Sequence, residues 1–273
     1  MNQKSPTAYN ARIVGREEIN PQLLILRVQP DGALFDFKPG QFAVLGLVGG
    51  APRVEEAAPE ETPPPADKLI RRAYSISSAS IERRYAEFII TLVSSGELTP
   101  RLYALREGDH LFLGPKASGI FTLDRVPPGK AVILVATGTG LAPYVSMLRT
   151  LALRDRERRF VVLHGARYGW DLGYRTELES LARACPHFTY IPSITRADQD
   201  PHFAGHTGRI QTLLAEGAVE RESGLALDPD QAEVFLCGNP DMLAAVQGLL
   251  EVRGYVVGSG KEPGTAPQLS NHA

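Results

Sequence analysis

The stretch Ala131-Val132-Ile133-Leu134-Val135-Ala136-Thr137-Gly138-Thr139-Gly140-Leu141-Ala142-Pro143 decides how the chain folds. Ala131 to Ala136 form an unbroken apolar run, the pattern of a strand covered on both faces, as in a parallel sheet. Behind it, Gly138 and Gly140 let the backbone approach a phosphate. The helix expected from Ala142 offers unpaired N–H groups and the positive end of its dipole, and Pro143 suits its first turn. A buried strand, a glycine turn and a helix in that order read as a site for the diphosphate of a nucleotide.

Downstream, the same grammar repeats. Strands are expected at Ala131 to Thr137, Arg159 to His164, Phe188 to Ile194 and Glu233 to Cys237, and helices near Ala142 to Leu153, Arg175 to Ala184, Ile210 to Ala215 and Pro240 to Arg253; Tyr255 to Val257 is a candidate fifth strand. Alternation of this kind signals right-handed βαβ crossovers, with ligands at the carboxyl ends of the strands. At those ends lie His164-Gly165-Ala166-Arg167, Thr195-Arg196 and Gly208-Arg209. Three arginines at one sheet edge suit an extra phosphate, which favours NADP(H) over NAD(H). Cys237-Gly238-Asn239-Pro240-Asp241-Met242 places a second glycine turn opposite the first. Cys237 itself reads as a small buried side chain, with no histidine or charge near it in sequence to activate a nucleophile.

Upstream the pattern is different. Short strands at Ala11 to Ile19, Leu23 to Gln29, Gln41 to Val48, Ala73 to Ser78, Ala86 to Val93 and Asp109 to Gly114, punctuated by Asp31-Gly32, Pro39-Gly40 and Gly114-Pro115, point to an antiparallel barrel or sandwich. One short helix follows Gly96, with Thr99 as N-cap and Pro100 at its first position. Arg71-Arg72-Ala73-Tyr74-Ser75-Ile76-Ser77-Ser78 offers an arginine, a tyrosine and a serine at alternate positions: a cation, an aromatic face and a hydroxyl. Residues 49–67, rich in proline and glutamate, read as an exposed, mobile insertion. Asp124 to Lys130, with Pro127-Pro128-Gly129, reads as the linker, giving a barrel over 8–125 and a nucleotide-binding α/β domain over 130–273.

Composition closes off other classes. The 273 residues are 43% apolar and 22% charged, with 29 basic against 31 acidic side chains and no basic excess in either half, which speaks against nucleic-acid binding. No apolar run approaches the length of a membrane helix, and Met1 to Asn10 lack the apolar centre of a secretory signal, so a cytoplasmic protein is expected. Two cysteines, Cys185 and Cys237, are too few for a disulfide framework or a four-cysteine cluster. Redox chemistry therefore needs another cofactor.

Taken in order, these segments resemble the bacterial ferredoxin/flavodoxin NADP reductases, over about Ala11 to Gly254. The resemblance implies an FAD-binding barrel followed by an NADP(H)-binding α/β domain. Arg72-x-Tyr74-Ser75-x-x-Ser78 looks like the family's flavin motif, with the arginine on the FAD diphosphate, Tyr74 on the ring and Ser75 at flavin N5. Gly96-Glu97-Leu98-Thr99-Pro100-Arg101-Leu102 is similar to its FAD phosphate motif. Thr137 to Pro143, His164 to Tyr168 and Cys237 to Met242 match its NADPH segments, and Arg196 and Arg209 fall where the 2'-phosphate is gripped. On this basis Ser75, Tyr74, Thr137 and Cys237 are the expected catalytic set. Arg72, Ala73, Ser78, Gly96, Leu98, Thr99, Gly138, Thr139, Gly140, Arg167, Arg196, Arg209, Gly238, Asn239 and Met242 complete the cofactor contacts, with no metal. The expected activity passes hydride between NADPH and FAD and single electrons to an external ferredoxin or flavodoxin. The reductase component of an oxygenase and a flavin-binding sensor are the alternatives. The family's usual connection is compact where residues 49–67 stand. Its terminal aromatic ring is replaced here by Leu269-Ser270-Asn271-His272-Ala273.

Overall fold

The computed structural model describes residues 9–152, 155, 157–258 and 266–270, and the chain divides between Gly119 and Ile120 into two units. In the first, β1 (Ala11–Asn20), β2 (Leu23–Pro30), β3 (Phe42–Val48), β4 (Leu69–Ser75), β5 (Ala86–Thr91) and β6 (His110–Leu113) form one sheet in the order β4-β3-β6-β1-β2-β5. All its pairs are antiparallel. Just past β4, the Ser77 N–H donates to the Glu87 carbonyl at 2.8 Å, which brings the two outer strands together and curls the sheet into a barrel. Strand alternation fills its interior: Ala11 and Ile13 of β1, Leu24 and Leu26 of β2, Leu45 and Leu47 of β3, and Phe88 and Ile90 of β5 share one core.

The only helix described in this unit, α1 (Thr99–Tyr103), starts one residue earlier than the sequence suggests. Leu98 is its N-cap, and Thr99 makes no capping bond. The Thr99 hydroxyl instead accepts from the Val93 N–H at 3.0 Å and donates to the Val93 carbonyl at 3.1 Å, pinning the turn that leads into the helix. A β-branched hydroxyl that closes a turn behind itself cannot also cap the helix ahead.

The second unit contains β7 (Ala131–Thr137), α2 (Ala142–Leu151), β8 (Phe160–Ala166), α3 (Arg175–Ala184), β9 (Phe188–Ile194), β10 (His206–Thr207), α4 (Ile210–Ala215), α5 (Ala218–Ser223), β11 (Ala232–Gly238), α6 (Pro240–Val252), β12 (Val257–Gly258) and β13 (Ala266–Ser270). Its sheet runs β10-β9-β8-β7-β11-β13-β12, parallel throughout. As the apolar run requires, β7 is central and buried along its length up to Ala136.

Three readings need adjustment. The segment from Ile120 onward belongs to this unit, ahead of Pro127-Pro128-Gly129, because Phe121 packs edge-on against Phe235 at 5.3 Å and lies 6.0 Å from Tyr144. Tyr255 is a buried core residue outside any strand; of the expected fifth strand only Val257 belongs to one, β12 at the sheet edge, and β13, between β12 and β11, was not foreseen. The short helix α5 was not foreseen. The end of the first expected helix at Leu153 lies outside the described residues, as do Asn271, His272 and Ala273. No helix among the described residues is long and apolar enough to cross a membrane.

Candidate active site

In the barrel, β4 presents its side chains alternately, so Arg72 and Tyr74 share the face that carries Ile70, and Ser75 lies on the other. Arg72 is half exposed and donates to the Glu97 carboxylate at 2.8 Å; that glutamate belongs to the turn before α1. Tyr74 is largely sheltered, and burial raises its phenol above the ordinary range while Arg72 partly offsets this. Ala73 is exposed. β4 ends at Ser75, so Ser78 does not continue its face. It is buried, and its hydroxyl accepts from the Glu87 N–H at 3.2 Å, in a network where Glu87 also receives Arg27 at 2.7 Å. Leu98 likewise sits in the barrel core. A guanidinium whose salt-bridge partner is an exposed carboxylate, beside a sheltered phenol, is a donor set that fits an anionic, aromatic cofactor such as FAD.

In the second unit, β7 ends at Thr137 and a short 3-10 turn over Gly138–Leu141 runs directly into α2. The two glycines of this loop do different work. Gly138 has φ +54° and open space where a Cβ would stand, which leaves its backbone accessible to a ligand. Gly140 is packed: a Cβ there would lie 2.4 Å from the Cys237 carbonyl oxygen. Across from it, Gly238 has φ +144°, and a Cβ would meet the Thr137 hydroxyl at 2.2 Å. That hydroxyl accepts from the Asn239 N–H at 2.8 Å. The loops after β7 and β11 are therefore locked together, with glycine demanded by their contact.

Asn239, expected on the cofactor, spends its side chain capping α6, accepting from the Asp241 N–H at 2.8 Å and the Met242 N–H at 3.4 Å. Met242 points into the core of this unit. Cys237 is fully buried, and burial pushes its thiol up to about 12, so it stays a neutral thiol at physiological pH. His164, at the end of β8, is fully buried too. Its Nδ1 lies 3.1 Å from the Tyr190 hydroxyl, and its Nε2 makes no hydrogen bond of normal geometry to a described residue. Burial lowers it to about 4, partly offset by the backbone of Gly138.

Arg167, Arg196 and Arg209 are all exposed, Arg167 just past β8, Arg196 just past β9 and Arg209 as the N-cap of α4. The Arg196 N–H donates to the Arg167 carbonyl at 3.0 Å, which brings two of the three side by side. Sequence reasoning passed over what accompanies them. Tyr168 stacks on Trp170 at 4.5 Å and 12°, Arg196 donates to the Tyr168 hydroxyl at 2.6 Å, and that hydroxyl donates to Gln199 at 2.8 Å. Trp170 is half exposed. A stacked pair of rings with an arginine at its rim fits a purine bearing a phosphate. An exposed tryptophan two residues beyond a tyrosine was the available signal.

Barrel and parallel-sheet unit, each with a nucleotide-compatible site, define a two-unit pyridine-nucleotide oxidoreductase. Residues 134–248 match the model of the oxidoreductase NAD-binding domain. Ferredoxin–NADP reductase A of Sorangium cellulosum (strain So ce56) is 36% identical over 239 residues, 84% of this chain and 78% of the relative. Flavodoxin/ferredoxin–NADP reductase of Escherichia coli (strain K12) is 33% identical over 211 residues, 77% of each. A solved ferredoxin NADP+ reductase from Neisseria gonorrhoeae, with bound FAD and NADP, superposes with a TM-score of 0.80 at 25% identity, covering 97% of this chain and 99% of that one. The chain belongs to the ferredoxin/flavodoxin–NADP reductase family.

Proposed function

We propose that the protein is an FAD-dependent ferredoxin or flavodoxin NADP+ reductase, passing hydride between NADPH and FAD and single electrons between FAD and a separate carrier. The observation that carries this reading is the pairing, in one chain of this family, of a barrel strand bearing Arg72 and Tyr74 with a second unit whose glycine loop is followed by the Arg196–Tyr168–Trp170 platform. Bound flavin supplies the conversion between two-electron and one-electron chemistry. The chain's part is to bind and orient. Arg72 offers its guanidinium to the FAD diphosphate, Tyr74 its ring to the flavin, and Ser75 a hydroxyl toward N5. Thr137 and Cys237 border the nicotinamide, the neutral thiol excluding water without competing as a nucleophile. Gly138 opens the backbone to the nucleotide diphosphate, and Arg196 and Arg209 hold the 2'-phosphate. Family membership favours this reading over the oxygenase component and the sensor.

The purified full chain is expected to show flavin absorption bands, to release FAD on denaturation, and to bleach rapidly when mixed anaerobically with NADPH. A flavin that stays oxidised would return the protein to the sensor reading. Released FMN in place of FAD would remove the diphosphate role of Arg72.

A further inference from the structure

Residues 49–67 were expected to be a mobile, exposed loop, and the structure ties them down. Arg101, the third residue of α1, is buried, with 2% of its side chain exposed. Its guanidinium donates to Glu60 of the insertion at 2.7 and 3.0 Å, a forked pair, and from Nε to the Gly49 carbonyl at 3.1 Å. The same guanidinium also donates to the Glu97 carbonyl. One side chain thus joins both the start and the middle of the insertion to the turn that carries Glu97, Leu98 and Thr99. Three further bonds reinforce the attachment: Val54 N–H to the Pro100 carbonyl at 3.0 Å, Ala58 N–H to the Ser94 carbonyl at 3.0 Å, and Arg53 to that Ser94 carbonyl at 3.3 Å. Ala51 and Val54 pack on the barrel core. Each of these polar anchors lands between Ser94 and Arg101.

A buried arginine needs a full set of acceptors and a counter-charge, because an uncompensated one is strongly unfavourable. Without the insertion, Arg101 would keep the Glu97 carbonyl and lose its carboxylate. The charge balance of the turn before α1 therefore depends on Glu60, whose own carboxyl is held below its usual range chiefly by the hydrogen bonds from Arg101.

We propose that Glu60 and Arg101 are a positioning pair through which the insertion fixes the turn at Ser94–Thr99 for the diphosphate of FAD. This rests on reading that turn as the diphosphate site. The insertion touches no reacting atom. It sets where the Glu97, Leu98 and Thr99 backbone stands, and so sets affinity for the phosphate-bearing half of the cofactor without altering the ring half held by Tyr74.

The test uses the flavin-stripped full chain and compares FAD with riboflavin, which lacks the diphosphate and adenosine. In R101M/E60L both charges go at once, which leaves the barrel without an orphan ion and preserves its melting temperature; FAD affinity is expected to fall about tenfold or more and riboflavin affinity to change by less than about twofold. Should that variant not fold, E60Q alone, which leaves Arg101 its carbonyl acceptors, is expected to weaken FAD by about threefold or more and riboflavin not at all. Rescue of FAD affinity by E60D, relative to E60Q, supports the charge pairing. Unchanged FAD affinity would make the pair a simple loop anchor, and parallel losses for both flavins would place its effect on the whole barrel; either overturns the proposal. A wild-type chain that binds riboflavin as tightly as FAD overturns it from beneath, through the diphosphate reading itself. Failure of the clamp alone leaves the wild-type preference for FAD intact.

Discussion

At the scale of single residues, the second unit separates charge left exposed from charge that folding removes. Arg196 is fixed by its bond to Tyr168, which also helps hold its guanidinium above the usual range, and its free edges face solvent with Arg167 beside it. Replacing Arg196 and Arg209 by alanine is expected to weaken NADPH on the order of a hundredfold and NADH by less than about threefold, since only the former carries the 2'-phosphate. Equal losses in a titration of both nucleotides would assign the arginines to the adenine or to the loop. His164 is the opposite case. Its folded value of about 4 lies below the 6.5 of an unperturbed histidine. Between those two pH values the unfolded chain binds a proton that the folded chain refuses, so stability is intact above about pH 6.5 and falls as pH drops toward 4, by on the order of 3 kcal/mol. Urea unfolding at pH 7.5 and 5 is expected to show a smaller acid loss in H164N than in the wild type. The same loss in both would place the acid sensitivity elsewhere.

Among elements, the contact between the loops after β7 and β11 matters most to the site. Six register pairs, Ala131↔Ala232 to Ala136↔Cys237, hold these strands parallel, and beyond the last of them Thr137, Gly140, Gly238 and Asn239 interlock. An alanine at 238 would need both an unfavourable backbone angle and space already taken by the Thr137 hydroxyl, so G238A is expected to destabilise this unit by about 2–3 kcal/mol and to weaken NADPH binding with it. A G138A variant has only the backbone angle to accommodate, and a melting curve should show it less destabilised; the reverse order would mean that the loops are not in contact. Local grammar made these elements legible in the sequence. β7, α3 and α4 fall where the apolar run and the alternation of strands and helices place them, because each is specified by residues close by in sequence. What escaped depends on partners far along the chain. Arg101 meets Glu60 across 41 positions, Ser78 meets the backbone of β5, and the terminal strand β13 slots between β11 and β12. No periodicity encodes such meetings. Proline and glutamate in residues 49–67 signal the absence of a strand, but not the buried guanidinium that waits for one of those glutamates.

Over the whole molecule, the two units have separate hydrophobic cores. One gathers residues of β1 to β6 with Leu98, Leu102 and Tyr103, and the other gathers residues of β7, β8, β9 and β11 with α4 and α6. The change of sequence grammar from period-two strands to alternating strands and helices marks that division, and it places each cofactor's proposed residues in a different unit. Ligand linkage follows from this. A ligand that binds only the native form of one unit stabilises that unit, by about 2.7 kcal/mol at a hundred times its dissociation constant, which for a unit of this size raises its melting temperature on the order of 10 °C. Calorimetry of the flavin-stripped full chain is expected to resolve two transitions. NADP+ should move the one that G238A lowers, and FAD the one that R101M/E60L leaves in place, so that each ligand and each variant reports on its own core. One cooperative transition, raised equally by either ligand, would show that the two cores melt as a single unit and that binding in one half is felt by the other.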